Sequence, residues 1–305
     1  MRHLLLLFAL GTAALAAAQS RPTPQRPTTS APAPAAVPTD AERRGLIERV
    51  LANQHLDDQA LPLFQRVERS QIHGREGDSG GEDRTTRIIP SGVGSARIVL
   101  EDHGRQATPA EILAQMFLVE RQLAIAVDPS NPQTRRDREK YDHRMKDRND
   151  LANSIRDAYI FTWMGREVRD GRTLAKFHLD PNPNFKATSR YTDMLRHAVA
   201  TMWVDESSAQ LVRLDGELVS DISIAAGIVG KVYRGGHIFL EQTQVEPGLW
   251  FPRFVQYDFT VRKVFFIDEI HERIESSHYV RVGSPDKALA AIRAEISAAR
   301  SQPSH

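Results

Sequence analysis

The stretch His271-Glu272-Arg273-Ile274-Glu275-Ser276-Ser277-His278 opens like the helix of a zinc protease, where two histidines one turn apart hold the metal and an intervening glutamate acts as base. Here the second ligand position is Glu275, and the surrounding alternation is that of a strand. His271, Arg273 and Glu275 therefore fall on one face as a polar ladder. The chain has no cysteine, which removes a thiol nucleophile, a disulfide and a lipid-modified N-terminal cysteine. No G-x-S-x-G elbow is present. Gly227-Ile228-Val229-Gly230 and Gly235-Gly236 lack the strand-then-helix setting of a phosphate loop and read as turns. Asp205 and Glu206 are adjacent at a strand end, where neighbouring side chains point apart, and Asp-Glu-Ser-Ser reads as a turn. These residues point to no enzyme, no metal and no cofactor.

What remains is apolar. Tyr159, Phe161 and Trp163 alternate on one side of a predicted strand, Phe177 lies on its hairpin partner, and Leu214, Leu240, Val255, Tyr257 and Phe259 continue the alternation downstream. Such a face can hold an acyl chain by burial alone, at ~0.8 kcal/mol per CH₂. Alternatively, each residue packs against a helix and meets no ligand. Met116 and Phe117, on a strongly apolar helix, are candidate lid residues; the same stripe also suits an ordinary core helix.

The elements that must position these residues follow from local signals. Thr39-Asp40 caps a helix to about Gln54, and Thr108-Pro109-Ala110-Glu111 is a capping box with proline at the first helical position. Near residues 133–154 a highly charged helix forms an insertion and places Arg136, Lys140, Arg144 and Arg148 in one column. That column suits either phosphate head groups or solvent. Strands are expected at Leu61–Ile72, Ala96–Glu101 and Ala158–Leu179, the last with Asp170-Gly171 as hairpin turn, and then across Met202–Val282, where Asp215-Gly216 suits a hairpin and Pro247-Gly248 a tight turn. About nine to eleven antiparallel strands are expected, enough to curl into a barrel or half-barrel. Ser284-Pro285-Asp286 caps a C-terminal helix, with a frayed tail over 301–305.

Residues 1–18 read as a signal peptide, with Arg2 and His3 before an apolar run that ends in Ala16-Ala17-Ala18. The Pro/Ala/Thr tract over 19–38 reads as an extended, disordered tether, and 39–300 as one domain. The expected product is exported, periplasmic or secreted, and soluble. Lys and Arg number 40 against 39 Asp and Glu, so removing Arg2 leaves 39 against 39. A neutral chain argues against a nucleic-acid partner, and no later segment reaches membrane-span length.

The ordered set F-x-W-x-G-R-E, D-G-R-x-L, F-x-L-x-P-x-P, W-V-D-E, Q-L-V-R-L-D-G, G-K-V-Y-R-G-G and P-G-L-W-F-P over Leu61–Val282 resembles secreted bacterial proteins of the LolA-like superfamily, which includes periplasmic lipoprotein carriers. The resemblance implies an α+β fold: a strongly curved antiparallel sheet forming an unclosed half-barrel, with helices covering the concave face and acyl chains inside. It implies a carrier-like binding protein whose partner is a hydrophobic small molecule, a lipid or the acyl chains of a lipoprotein. The alternative is an envelope interaction or sensor module with a filled interior and a protein partner. The charged helix and the Pro-rich tract depart from the simple carrier.

Overall fold

A computed structural model describes residues 37–73, 81–224, 230–263 and 266–301. The predicted signal peptide, nearly all of the tether, most of the loop after His73, residues 227–229 and the last four residues of the tail lie outside them.

The first helix, α1 (Asp40–Ala60), starts at a reciprocal cap in which Thr39 Oγ1 accepts from the Glu42 N–H and the Glu42 carboxylate accepts from the Thr39 N–H. It buries Leu46, Ile47 and Val50 along one side. The chain then enters a meander of β1 (Phe64–His73), β2 (Glu82–Pro90), β3 (Ser95–Asp102) and the two-residue β4 (Arg105–Gln106). Two helices follow, α2 (Pro109–Val127) and α3 (Pro132–Ala158), and α3 runs directly into β5 (Tyr159–Arg169). After β6 (Arg172–Pro181) comes the one-turn α4 (Arg190–Asp193), and then β7 (Ala198–Asp205), β8 (Gln210–Leu218), β9 (Ile222–Ile224), β10 (Gly230–Val232), β11 (His237–Glu246), β12 (Leu249–Lys263) and β13 (Phe266–Arg281). The last helix is α5 (Pro285–Ser301).

The thirteen strands form one antiparallel sheet in the order β4-β3-β2-β1-β13-β12-β11-β8-β7-β6-β5. Strands β4 and β5 end this path without pairing with each other, so the sheet is unclosed. The short β9 and β10 stand off the path: β10 pairs with the far end of β12, past the stretch that pairs with β11. These short pieces lie behind the excess over the expected nine to eleven strands, together with β2, which the sequence reading passed over.

Register defines the two faces. Trp163 lies opposite Phe177, Phe177 opposite Met202, Met202 opposite Leu214, Leu214 opposite Leu240, Leu240 opposite Val255, and Val255 opposite Ile274. This continuous apolar face meets α1 and the C-terminal part of α3 through Leu46, Ile47, Val50 and Leu151. Carried on through Ser70 opposite Ile274 and Arg84 opposite Ser70, the same face of β2 holds Arg84 and Ile88. Helices α2 and α5 pack on the other face, where Ile89, Ala96 and Ile98 meet Met116, Val119, Leu123, Leu289 and Ile292. Arg87 of that face bonds Glu295 of α5 at 2.6 and 2.7 Å.

Asp170 (φ 51°) and Gly171 (φ 75°) make the expected hairpin turn, and Gly248 (φ 80°) follows Pro247 in the turn between β11 and β12. Asp215-Gly216, however, sits inside β8. Gly216 is tucked between neighbours there: an added Cβ would stand 3.4 Å from the Val199 carbonyl oxygen. That is ordinary contact distance and the backbone is not left-handed, so at this position neither a turn nor a close approach demands the glycine.

Candidate functional site

The nine residues expected to line a ligand space do share one face, and they divide into two groups. Tyr159, Phe177, Leu240, Val255, Tyr257 and Phe259 are between 0 % and 8 % exposed, and half-buried Leu214 packs against the core that holds Tyr159 and Phe177. Burial pushes the Tyr159 hydroxyl well above its ordinary range. The Tyr257 hydroxyl donates to Glu272, which its register places on the same face. Tyr159, Phe177 and Leu214 pack in the core beneath α1 and the end of α3, whereas Val255, Tyr257 and Phe259 pack with Ala198, Leu218 and Val232 in a second cluster.

Phe161 and Trp163 are the two that open outward. With Ile47 they form the apolar lining of a cleft of about 550 Å³ between the N-terminal half of α1, the end of α3 and β5. Trp163 is fixed edge-on against Phe177, with ring centroids 5.3 Å apart, and the Arg166 guanidinium lies 5.2 Å from its ring. Arg166 is itself held by Glu206 at 2.8 and 2.9 Å. The rim carries Arg43, Arg44 and Arg156 against Asp40 and Glu48, a balance of three cations to two anions. Arg43 pairs with Asp40, and Arg156 with Glu48 at 2.9 Å. Arg44 has no ion pair among the described residues. An apolar floor with a spare cation at its rim suits an amphiphile with an anionic head.

The cover over this face is anchored at the far end of α1. Asn53 donates to the carbonyls of Ser208 and Ala209 at 3.1 and 3.0 Å, and Gln242 donates to Gln54 at 3.0 Å. Arg148 of α3 pairs with Asp58. Asp57 is 1 % exposed and accepts the Trp250 N–H at 2.9 Å, while its second oxygen has no partner among the described residues. Burial, with a smaller contribution from neighbouring Asp58, pushes its carboxyl up to about 6. Of these residues the sequence points to Arg148 alone, through the basic column; an acidic residue such as Asp57 at a helix end gives no sign that it is buried.

Met116 is buried in the α2–α5 layer on the opposite face, and Phe117 of the same helix is exposed. Amphipathicity identifies the apolar side of α2, whereas the strand register decides which sheet face it covers. Within the basic column, Arg148 pairs with Asp58 and Lys140 lies 3.9 Å from Asp137; Arg136 and Arg144 are exposed, with no ion pair among the described residues. His271 lies in β13 on the face opposite α1, its Nδ1 2.7 Å from Asp258; His237 Nε2 is 2.8 Å from Asp215 on the same face. A larger cleft, about 670 Å³, lies between the β5–β6 and β11–β12 turns, but its charges satisfy each other: Arg169 and Arg253 both meet Glu241, and Arg172 meets Asp205.

No family model and no curated protein matches the chain. Among solved structures it is similar to a domain described as an outer-membrane lipoprotein-sorting protein from Vibrio parahaemolyticus, at 8 % identity over 81 % of this chain and 99 % of that one, with a TM-score of 0.31. A DUF1329 family protein from Desulfovibrio piger is similar at 11 % identity over 78 % and 92 %, with a TM-score of 0.30. A LolA superfamily protein from Nitrosomonas europaea is similar at 10 % identity over 81 % and 96 %, with a TM-score of 0.29. At such TM-scores the likeness gives no weight to a functional reading, and the fold rests on the strand order and register of the chain itself.

Proposed function

We propose that the protein is an exported, non-catalytic binding protein of the cell envelope that holds a hydrophobic ligand, an acyl chain or the lipid part of a larger molecule, on the face covered by α1. The amphipathic cleft at Phe161 and Trp163 carries this reading, because it joins solvent to the apolar core under α1 and has arginines at its mouth. The chain would enter over the two rings, with its head group at Arg44, and extend inward as α1 shifts outward. Burial of CH₂ groups at ~0.8 kcal/mol each supplies the affinity without a specific polar contact.

Native mass spectrometry and solvent extraction of protein purified from periplasm, with titration of a fluorescent fatty acid, test the proposal. The expected result is a co-purifying lipid and saturable binding that Trp163→Ala and Phe161→Ala weaken about tenfold, equivalent to roughly 1.4 kcal/mol. Repeated absence of lipid together with no fatty-acid binding would overturn it. The second reading, an envelope interaction module with a filled interior, is favoured by the close packing of Phe177, Tyr257 and Phe259. Under that reading the purified protein carries no lipid and takes up no fatty acid.

A further inference from the structure

The sheet ends differently on its two sides. At one end β4 is two residues long. At the other, β5 has eleven residues, pairs with β6 on one side and, among the described residues, meets no strand on the other. Long free edges expose a row of backbone donors and acceptors, which proteins usually blunt with lysine, proline or a bulge. Here β5 has neither Lys nor Pro, and its one irregularity is the shift between Trp163 and Gly165, where Gly165 sits at φ 112°. The stretch Tyr159–Trp163 before it keeps regular pairing with β6. Phe161 and Trp163 face the α1 cleft, and the other side carries Ile160, 51 % exposed, then exposed Thr162 and Met164 at 56 %.

We infer that the free edge of β5 over Tyr159–Trp163 is a docking strand for an extended segment of a partner protein that carries acidic side chains between apolar ones. Main-chain bonds to β5 would give such a segment its place, as in other strand-addition complexes. In such an alternating segment the acidic side chains would all lie on the cleft side, toward Arg44, and the apolar ones against Ile160 on the other. The acidic preference comes from the cleft lining, three arginines to two carboxylates, and from Arg44, whose charge no described residue answers. An added strand would also wall the open side of the cleft. This goes beyond the hydrophobic-ligand reading and stands if that reading fails.

Backbone amide exchange of the mature protein, followed by NMR, tests it with three short peptides: one alternating Glu and Val, the same with Lys for Glu, and the acidic one with a central Pro. The acidic peptide should slow exchange in Ile160–Trp163 and bind about tenfold more tightly than the lysine peptide, a preference that Arg44→Glu abolishes. The proline peptide should protect nothing, since it lacks a ladder donor. The inference is overturned if the acidic peptide leaves the β5 amides unprotected, if acidic and basic peptides bind alike, or if proline makes no difference. Fatty-acid titration of the same samples reports separately on the ligand proposal.

Discussion

Asp57 is the residue whose surroundings most constrain the molecule. Its carboxyl is buried at the end of α1 with one oxygen on the Trp250 N–H and the other without a partner among the described residues. The charged groups nearby are Asp58, neutralised by Arg148 of α3, and Arg172, whose guanidinium is 4.7 Å from the Trp250 ring. Burial disfavours the charged carboxylate, and the nearby Asp58 adds to the upward push from 3.8 to about 6. Because the folded value is raised, the folded state binds the proton where the unfolded state has lost it. The contribution of Asp57 is therefore full below pH 4, falls as pH rises from about 4 to 6, and levels off above, by about 3 kcal/mol in all, whereas Glu111 and Asp83, both held down to about 2, contribute in the opposite sense as pH falls below about 4. Denaturant unfolding at pH 4 and pH 8 reads this contribution as the difference between the parent and an Asp57→Asn variant. Asp57→Asn keeps an oxygen for Trp250 and should flatten the curve, leaving the variant more stable than the parent at pH 8; an unchanged slope would show that Asp57 is not responsible.

At the scale of elements, the legible parts were those set by neighbouring residues. The reciprocal caps at Thr39 and Thr108, the Asp170-Gly171 turn and the C-terminal helix all depend on contacts within a few positions. Strand β2 was not seen, because Glu82–Arg87 is charged and Thr-rich, with both its faces spoken for: Arg84 bonds Glu82 and Asp102, and Arg87 bonds Glu295. The alternation of the candidate lining predicted a shared face correctly, but a filled core and a ligand space have the same pattern, so only α1, packed on top, separates Phe177 from Phe161 and Trp163. Gly216 provides a test of the corrected reading of Asp215-Gly216. Gly216→Ala should be tolerated or stabilise by up to about 1 kcal/mol, because its Cβ would make ordinary contacts at 3.4 and 3.6 Å inside a strand, where a glycine held at positive φ would be destabilised by the change. Thermal unfolding measures the difference.

On the scale of the whole molecule, one sheet carries two helical layers on opposite faces: α1 with the end of α3 at the β5–β8 side, and α2 with α5 over β2 and β3. The layers touch the same hydrogen-bonded sheet through β1 and β13, whose pairing runs from Phe64 opposite Arg281 to His73 opposite His271 with one shift. Such continuous pairing makes separate unfolding of either layer costly, since removing one uncovers apolar faces of strands that the other still holds in place. All three tryptophans, Trp163, Trp203 and Trp250, lie in β5, β7 and β12, away from the α2–α5 layer. Ile292→Ala, which removes a 1 % exposed side chain from that distant layer, should cost about 2–5 kcal/mol. If the two layers form one cooperative unit, tryptophan fluorescence and helical circular dichroism should shift to lower denaturant together by the same amount. An earlier loss of the dichroism signal alone, with the tryptophan transition unmoved, would show that α2 and α5 melt from the sheet as an independent layer and leave the α1 face intact.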